Sequence, residues 1–461
     1  MSGFPHFLRD RETSLVSNRG PLPRALRCKQ MRQSQPLREM LVDSIYKRHE
    51  GEGLYSKTIR GHFGCVNAIE FSRCRDRFLA SAGDDKRVLL WQCSQMVGQA
   101  SSVVQPWAVM DTTHESNIFA LAFGSQDSTL LSGGNDHVIM QHDIETGQSK
   151  NSWAVNDAIY ALSYNPVDDH VFVSATEDGK LTVWDTRVSP DEAHFVLVEI
   201  PGTSFTSVDC NPTEGRLLAA VNSRQGAELW DIRTSTSPIF RFADPLNLGM
   251  NNPTNKDYMA AKWNKFGDRL LALRRRKCPV LFSVHAPQIQ CKFDQSSYFN
   301  CCTMKSCSFG GVNHEYVLSG SDDWSVYAWR IPDNLNDRQL DCAALTTYPP
   351  KVSSPSVRRA QYVLKGHRSI VNQVRYSTEH NVIASSGVEK VIKLWCPWRF
   401  DGVDCSDTRS TQQCPRQMSH AQDEALEQRA TRGRLAADSG LDEDTHMLTF
   451  FDYLLRVRSR T

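Results

Sequence analysis

The chain has 461 residues, with 53 Lys and Arg against 52 Asp and Glu, so no global field draws it toward nucleic acid or a membrane surface. That length holds two to four ordinary domains or one large all-β array. No apolar run approaches the roughly 18 residues of a membrane-spanning helix and the N-terminus lacks the basic start and apolar core of a secretory signal, so nuclear and cytoplasmic placement is the expectation.

The 14 cysteines are scattered, and no CxxC pair occurs, which leaves neither a zinc knuckle nor a thioredoxin-type motif. Reduced structural thiols are the expectation. Cys301, Cys302 and Cys307 stand close enough to form a redox or metal candidate, but a fourth ligand is missing nearby. No metal and no cofactor are expected.

In chain order, residues 1–33 are rich in Arg and Pro without periodicity and read as a mobile basic arm. Residues 34–53 open with "SQPLREMLVDSIYKRH", in which Ser34 can cap a helix, Pro36 suits its first turn, and Leu37, Met40, Leu41 and Ile45 share one face. This amphipathic helix either caps the domain that follows or docks into a partner's groove.

Residues 54–398 contain one pattern seven times: a turn with His, an apolar β-like stretch, a second stretch ending in small residues, then Asp and a strand closing on Trp. The first copy is "GHFGCVNAIEFSRCRDRFLASAGDDKRVLLW" and the last is "GHRSIVNQVRYSTEHNVIASSGVEKVIKLW". The strand-closing residues are Trp91, His142, Trp184, Trp230, Phe282, Trp329 and Trp395. Several short strands per copy at a period of roughly 40–50 residues predict an all-β fold, a seven-bladed WD-repeat β-propeller. "LYSKTIR" ahead of the first copy is expected to supply the outer strand of the last blade, so that the ring closes on itself.

Within a copy, His62, Ser81, Asp85 and Trp91 can form one hydrogen-bonded chain, matched by His367, Ser385, Glu389 and Trp395. A Ser, His and Asp set resembles a catalytic triad, but repetition with the acid six residues before the closing residue marks a structural device. Arg224 and Arg276 replace that acid in the fourth and fifth copies, which are therefore expected to be held mainly by apolar packing.

Residues 334–360 form a Pro- and Ser-containing insertion expected to loop into solvent. Residues 399–444 read as a weakly ordered polar linker, and 445–461, with "MLTFFDYLLR", as a C-terminal helix.

The sequence holds no HExxH, GxxxxGK or nucleophile elbow, so no catalytic residue is expected and function should lie in the loops. Strand alternation puts the His and Asp turns on one face, here the top, and the residues after each closing Trp on the bottom. "WDTR" and "WDIR" (Trp184, Asp185, Arg187; Trp230, Asp231, Arg233) thus place Arg187 and Arg233 on the bottom of neighbouring blades. Trp and Asp belong to the repeat; the arginines do not. On top, "LRRRK" supplies Arg274, Arg275 and Arg276 beside Phe63, Tyr298, Phe299 and Trp324, a basic and aromatic surface suited to an acidic or methylated peptide or to nucleic acid.

Paired WDxR boxes on consecutive blades resemble those of the WD-repeat substrate receptors of cullin-4 RING E3 ubiquitin ligases. "GHFGCVNAIEFS", "LLALRRR", "YFNCCTMKSC", "LSGSDDWSVYAWRIP", "LKGHRSIVNQVRY" and the terminal "FFDYLL" are similar to the damage-specific DNA-binding protein 1 and cullin-4 associated factor 5 group. The similarity runs from about Leu54 to the end and is weak in the arm and in the linker after Trp395. The long disordered C-terminal extension associated with the group has no counterpart in this sequence.

The resemblance implies a non-catalytic substrate-recognition subunit. Its bottom face, through Trp184, Asp185, Arg187, Trp230, Asp231 and Arg233, with the helix carrying Leu37, Met40, Leu41 and Ile45, would bind the adaptor damage-specific DNA-binding protein 1 and through it cullin-4. The top face would present a protein substrate, and nucleic acid and membrane are not expected partners. The alternative is a WD-repeat scaffold that organises a chromatin or RNA complex without ligase association.

Overall fold

The computed structural model describes residues 54–98, 104–189, 194–234, 237–242, 258–335, 355–398 and 400. The expected basic arm, the amphipathic helix with Leu37, Met40, Leu41 and Ile45, most of the linker and the C-terminal helix lie outside the described residues.

Among the described residues there are seven sheets, one for each repeat copy, antiparallel throughout except for one added parallel strand in blade 5. Blade 1 comprises β2 (Val66–Phe71), β3 (Phe78–Gly83), β4 (Val88–Gln92) and β5 (Ala108–Val109), hydrogen-bonded in that order. Blades 2, 3 and 4 repeat this with β6–β9, β10–β13 and β14–β17, spanning Ile118–Ala154, Ile159–Glu199 and Phe205–Arg241. Every predicted strand-closing residue falls in the third strand of its blade, and Trp91, Trp329 and Trp395 are fully buried.

The ring closes as expected. β1 (Tyr55–Arg60) pairs antiparallel with β29 (Val391–Cys396), from Tyr55 opposite Cys396 to Arg60 opposite Val391. It completes blade 7, whose other strands are β27 (Val371–Ser377) and β28 (Val382–Gly387). Seven apolar clusters then fill the junctions between neighbouring blades. Ile59, Val66, Trp91 and Leu394 meet between blades 7 and 1, and Val173, Phe205, Leu218 and Trp230 between blades 3 and 4. The period-2 alternation of each strand sends one row of side chains to each neighbour, so every blade is covered on both sides.

Bottom-face turns stitch blade to blade. Asp127 accepts from the Arg73 and Cys74 amides, Asp169 from Ser125, and Asp76 from Ser377, Thr378 and the Glu379 amide. Between blades 3 and 4 the Asn165 side-chain amide donates to the Gly215 carbonyl, and between blades 4 and 5 that of Asn211 donates to Gly267.

Two features depart from the sequence expectation. A short helix, α1 (Cys93–Gly98), follows β4 and packs Cys93 and Met96 against Phe400, while buried Lys57 donates to the Met96 carbonyl at 2.8 Å. The 334–360 insertion does not simply loop into solvent. Its last residues return as β25 (Ser356–Val357), which pairs parallel with the outer strand β21 (Ala286–Phe293) of blade 5, and Leu335 and Ala360 are buried at its two ends.

Candidate functional site

The repeat's polar chain is intact in blade 1. Trp91 Nε1 donates to Ser81 Oγ at 2.8 Å, the same oxygen lies 2.7 Å from His62 Nε2, and His62 Nδ1 lies 2.9 Å from Asp85. Because the Asp85 carboxylate can only accept, the neutral imidazole carries its proton on Nδ1, and Nε2 is left to accept the serine proton while the serine oxygen accepts from the indole. The serine is thus spent on two buried partners and is no nucleophile. Blade 2 repeats the set as His114, Ser132 and Asp136, with His142 in the tryptophan's place. In blade 7, Trp395 and His367 converge on Ser385, but the longer Glu389 stands 3.7 Å from His367 Nδ1 and takes the Arg368 amide instead.

Blade 4 qualifies the expectation that apolar packing mainly holds it. Glu228, fully buried, accepts from Trp230 Nε1 at 3.1 Å and from Arg241 Nε at 2.8 Å, so the missing turn acid is replaced by an acid two residues before the tryptophan. Blade 5 does follow the expectation, with Leu270, Ala272, Val280 and Phe282 in one apolar cluster.

At the bottom face the two WDxR boxes adopt one geometry. Arg187 Nε donates to Asp185 Oδ1 at 2.8 Å and Nη2 to Oδ2 at 2.5 Å; Arg233 makes the same pair with Asp231 at 3.0 and 2.8 Å. Each aspartate also accepts the arginine's own backbone amide, at 2.9 and 3.0 Å. Against burial, which acts to raise it, the Arg233 hydrogen bonds hold the Asp231 carboxyl below its ordinary value. The aspartate side chains are 1% and 13% exposed and the arginines 33% and 42%, so a fixed acid presents an oriented guanidinium at the rim. Asp168, which the sequence reading did not single out, stands 3.4 Å from Arg187 Nη1. Trp184 and Trp230 are buried blade residues, not surface ones.

The top-face candidates divide. Arg274 is buried, with its guanidinium turned to the Cys278 carbonyl at 3.4 Å, and is corrected to a structural residue. Tyr298 is corrected likewise. Its hydroxyl lies 2.9 Å from Ser319 Oγ and its ring packs edge-on to Tyr327 and Trp329, so it fills the place of the repeat's histidine. Phe299 and Trp324 are half-buried, and the Phe299 amide is held by Ser321. Arg275 is half-buried and donates to the Cys301 carbonyl at 2.9 Å. Exposed Arg276, in the left-handed region at φ 58°, and Phe63, 72% exposed with the Arg87 guanidinium over its ring, reach solvent.

Cys301 and Cys302 lie in the same loop, both backbone amides donating to Asp322. The Cys301 thiol is held low, chiefly by hydrogen bonding to Cys302 and also by Arg276, while Cys302 is pushed up. Cys307 does not join them: it is buried in the core between blades 5 and 6. Among the described residues no group of His, Cys, Asp and Glu is arranged to hold a metal.

Closed ring, repeat chain and matching rim define a seven-bladed WD-repeat β-propeller protein. The WD domain, G-beta repeat family matches residues 53–92, 107–143, 148–185 and 358–396, each match taking in the outer strand of the preceding blade and the first three strands of blade 1, 2, 3 or 7. Over 406 residues the chain is 41% identical to DDB1- and CUL4-associated factor 5 of Homo sapiens, and equally to that of Mus musculus, over 87% of this chain and 40% of either relative. The chain thus spans about two fifths of the length of these relatives. It is also 23% identical to DDB1- and CUL4-associated factor 13 of Xenopus laevis, over 60% of this chain and 57% of that protein. Among solved structures, the beta-propeller domain of Myceliophteria thermophila Cps50 (Swd1) aligns with a TM-score of 0.58 at 18% identity, over 74% of this chain and 99% of that one, a likeness of fold alone.

Proposed function

We propose that the chain is a non-catalytic substrate-recognition subunit of a cullin-4 ubiquitin ligase, with DDB1 bound at the bottom face and a protein substrate at the top. The observation that carries this reading is the matched pair of anchored guanidinium groups on consecutive blades, Arg187 on Asp185 and Arg233 on Asp231. Two planar donors fixed in advance suit a partner surface of carboxylates and backbone carbonyls, at little entropic cost on binding. The 41% identity to DDB1- and CUL4-associated factor 5 supports the same partner. Ubiquitin transfer would belong to other subunits, since the Ser, His and Asp sets are consumed inside the blades.

The test is titration of purified DDB1 with wild type and with the double variant Arg187→Ala, Arg233→Ala. A loss of tenfold or more with an unchanged melting curve is the expected result. Unchanged affinity would refute the bottom-face assignment, and no binding by wild type would favour a scaffold without ligase association.

A further inference from the structure

Among the described residues, the bottom-face turn next to the Arg187 fork carries an apolar side chain that no blade covers. Val167 is 73% exposed, the most exposed of the large hydrophobic residues among those described. It sits in the turn between β10 (Ile159–Tyr164) and β11 (Val171–Thr176) of blade 3, next to Asp168, the residue facing Arg187. In the corresponding turns of blades 5 and 6 the apolar residues, Phe266 and Val312, are buried.

The position of Val167 is fixed from both sides. Its own amide donates to Asn165 Oδ1 at 2.9 Å, and the Asn165 side chain reaches across to the Gly215 carbonyl of blade 4 at 3.1 Å. Gly215 closes on its flank: a Cβ there would lie 3.0 Å from Val167 Cγ2 and 2.3 Å from Asn165 Oδ1. The same two turns hold the WDxR segments, because the Thr186 amide donates to the His170 carbonyl at 2.9 Å and the Ile232 amide to that of Arg216 at 2.8 Å. Valine and forks therefore form one rigid unit across blades 3 and 4. Scattered exposed apolar residues are ordinary on protein surfaces. Here one is held beside Asp168, which faces Arg187, and against the blade 4 turn to which the Arg233 segment is tied, an apolar group with charged groups on neighbouring segments, as at an interface centre.

We infer that Val167 is the apolar anchor of the bottom-face interface, inserting into an apolar socket on DDB1 whose rim carries acceptors for Arg187 and Arg233. This inference rests on the adaptor reading above and goes beyond it, because it adds a contact that charge pairing alone does not require. The partner surface it fits is apolar at the middle and acidic or carbonyl-rich at the edge.

Blade 4 supplies a built-in control. Its turn has the same Asn-Pro start, Asn211 and Pro212, and carries Thr213 where blade 3 has Val167, with the Thr213 amide donating to Asn211 Oδ1 at 3.0 Å. Val167→Thr keeps a β-branched residue in a turn that already accepts threonine next door, so the variant folds. Affinity of the full chain for purified DDB1 is measured at two salt concentrations for wild type, Val167→Thr, Val167→Asp and Arg187→Ala with Arg233→Ala, alongside thermal melts and sedimentation. The expected result is a loss of about fivefold for Val167→Thr and about a hundredfold for Val167→Asp, with unchanged melts. The Val167→Thr loss should be the same at both salts, whereas the contribution of the arginines shrinks as salt rises. Wild-type affinity in both valine variants overturns the inference while leaving the adaptor reading intact. Self-association of wild type that Val167→Asp abolishes, with DDB1 binding unaffected, assigns the valine to a second copy of the chain and also overturns it. Failure of wild type to bind DDB1 removes the adaptor reading and the inference together.

Discussion

His114 and His142 are joined through one hydroxyl: Ser132 Oγ lies 2.7 Å from Nε2 of the first and 2.8 Å from Nε2 of the second. With His114 arranged as in blade 1, Ser132 donates to it and His142 must donate through Nε2, which leaves His142 Nδ1 without a hydrogen-bond partner. Burial first, and the neighbouring His114 second, push His142 down to about 4. The unfolded chain binds a proton near the ordinary 6.5 while the folded one does not. Stability from this site is therefore complete above pH 6.5 and is lost as pH falls toward 4, by about 3 kcal/mol at the limit. His142→Trp, which restores the repeat's own indole donor, is expected to flatten that acid limb in urea unfolding measured from pH 7 to pH 4. An equally steep limb in the variant would show that the acid sensitivity lies elsewhere.

Glu389 overshoots. In blades 1 and 2 the shorter aspartate comes within 2.9 and 2.6 Å of the histidine Nδ1, but Glu389 stands at 3.7 Å and His367 Nδ1 is buried without a hydrogen bond. Glu389→Asp is expected to stabilise the protein by roughly 1 kcal/mol, the usual gain from satisfying a buried donor. Chemical denaturation reads this directly, and a destabilised variant would mean that the Arg368 amide contact matters more than the histidine.

Glu228 in blade 4 is a buried acid with two donors on it, the Trp230 indole and Arg241. Burial raises its carboxyl, and the Arg241 contacts only partly offset this. Glu228→Gln keeps an acceptor and should cost less than about 1 kcal/mol at pH 7, whereas Glu228→Ala strands the indole and should cost roughly 2–4 kcal/mol. Equal losses in the two variants would contradict the hydrogen-bond account.

Arg276 and Phe63 reach solvent on the top face without being part of the blade core. The proposed receptor role predicts that, in cells lacking this chain, Arg276→Glu with Phe63→Ala restores DDB1 co-purification but not the level of any protein whose abundance rises on its loss. The Arg187→Ala, Arg233→Ala variant should restore neither. If the top-face variant restores both, substrate contact lies on other residues.

How much of this was legible in the sequence varies by blade. Blades 1, 2 and 7 were readable because histidine, serine and acid stand at fixed offsets that a self-comparison detects, down to His142 and Glu389 as substitutes. Blade 4 misled because its acid had moved from the turn to Glu228. The signal was present in "GAELWD", since residues i and i+2 of a strand share a face and Glu228 must lie beside Trp230. Tyr298 reads from sequence as a surface aromatic because a phenol in the histidine's place breaks the repeat's spelling. Arg274 stands in one run with Arg275 and Arg276, but as the last residue of β19 (Arg269–Arg274) its side chain follows the strand's alternation and not the turn. The pairing of β25 with β21 was out of reach, because two-residue parallel contacts between distant segments leave no periodic trace. Val167 is invisible to sequence reasoning, because a lone valine in a turn carries no pattern until its neighbours in space are known.

The pairing of Tyr55–Arg60 with Val391–Cys396 also sets a timetable for synthesis. At about 5–20 residues per second, β1 leaves the ribosome roughly 20 to 70 seconds before β29 exists to receive it. Throughout that interval the nascent chain carries an orphan strand at one end and an open sheet edge at the other. A translation pause before Val391 prolongs this vulnerable state, and a chaperone that shields Tyr55–Arg60 until Val391–Cys396 emerges would decide how much of the protein reaches its closed form.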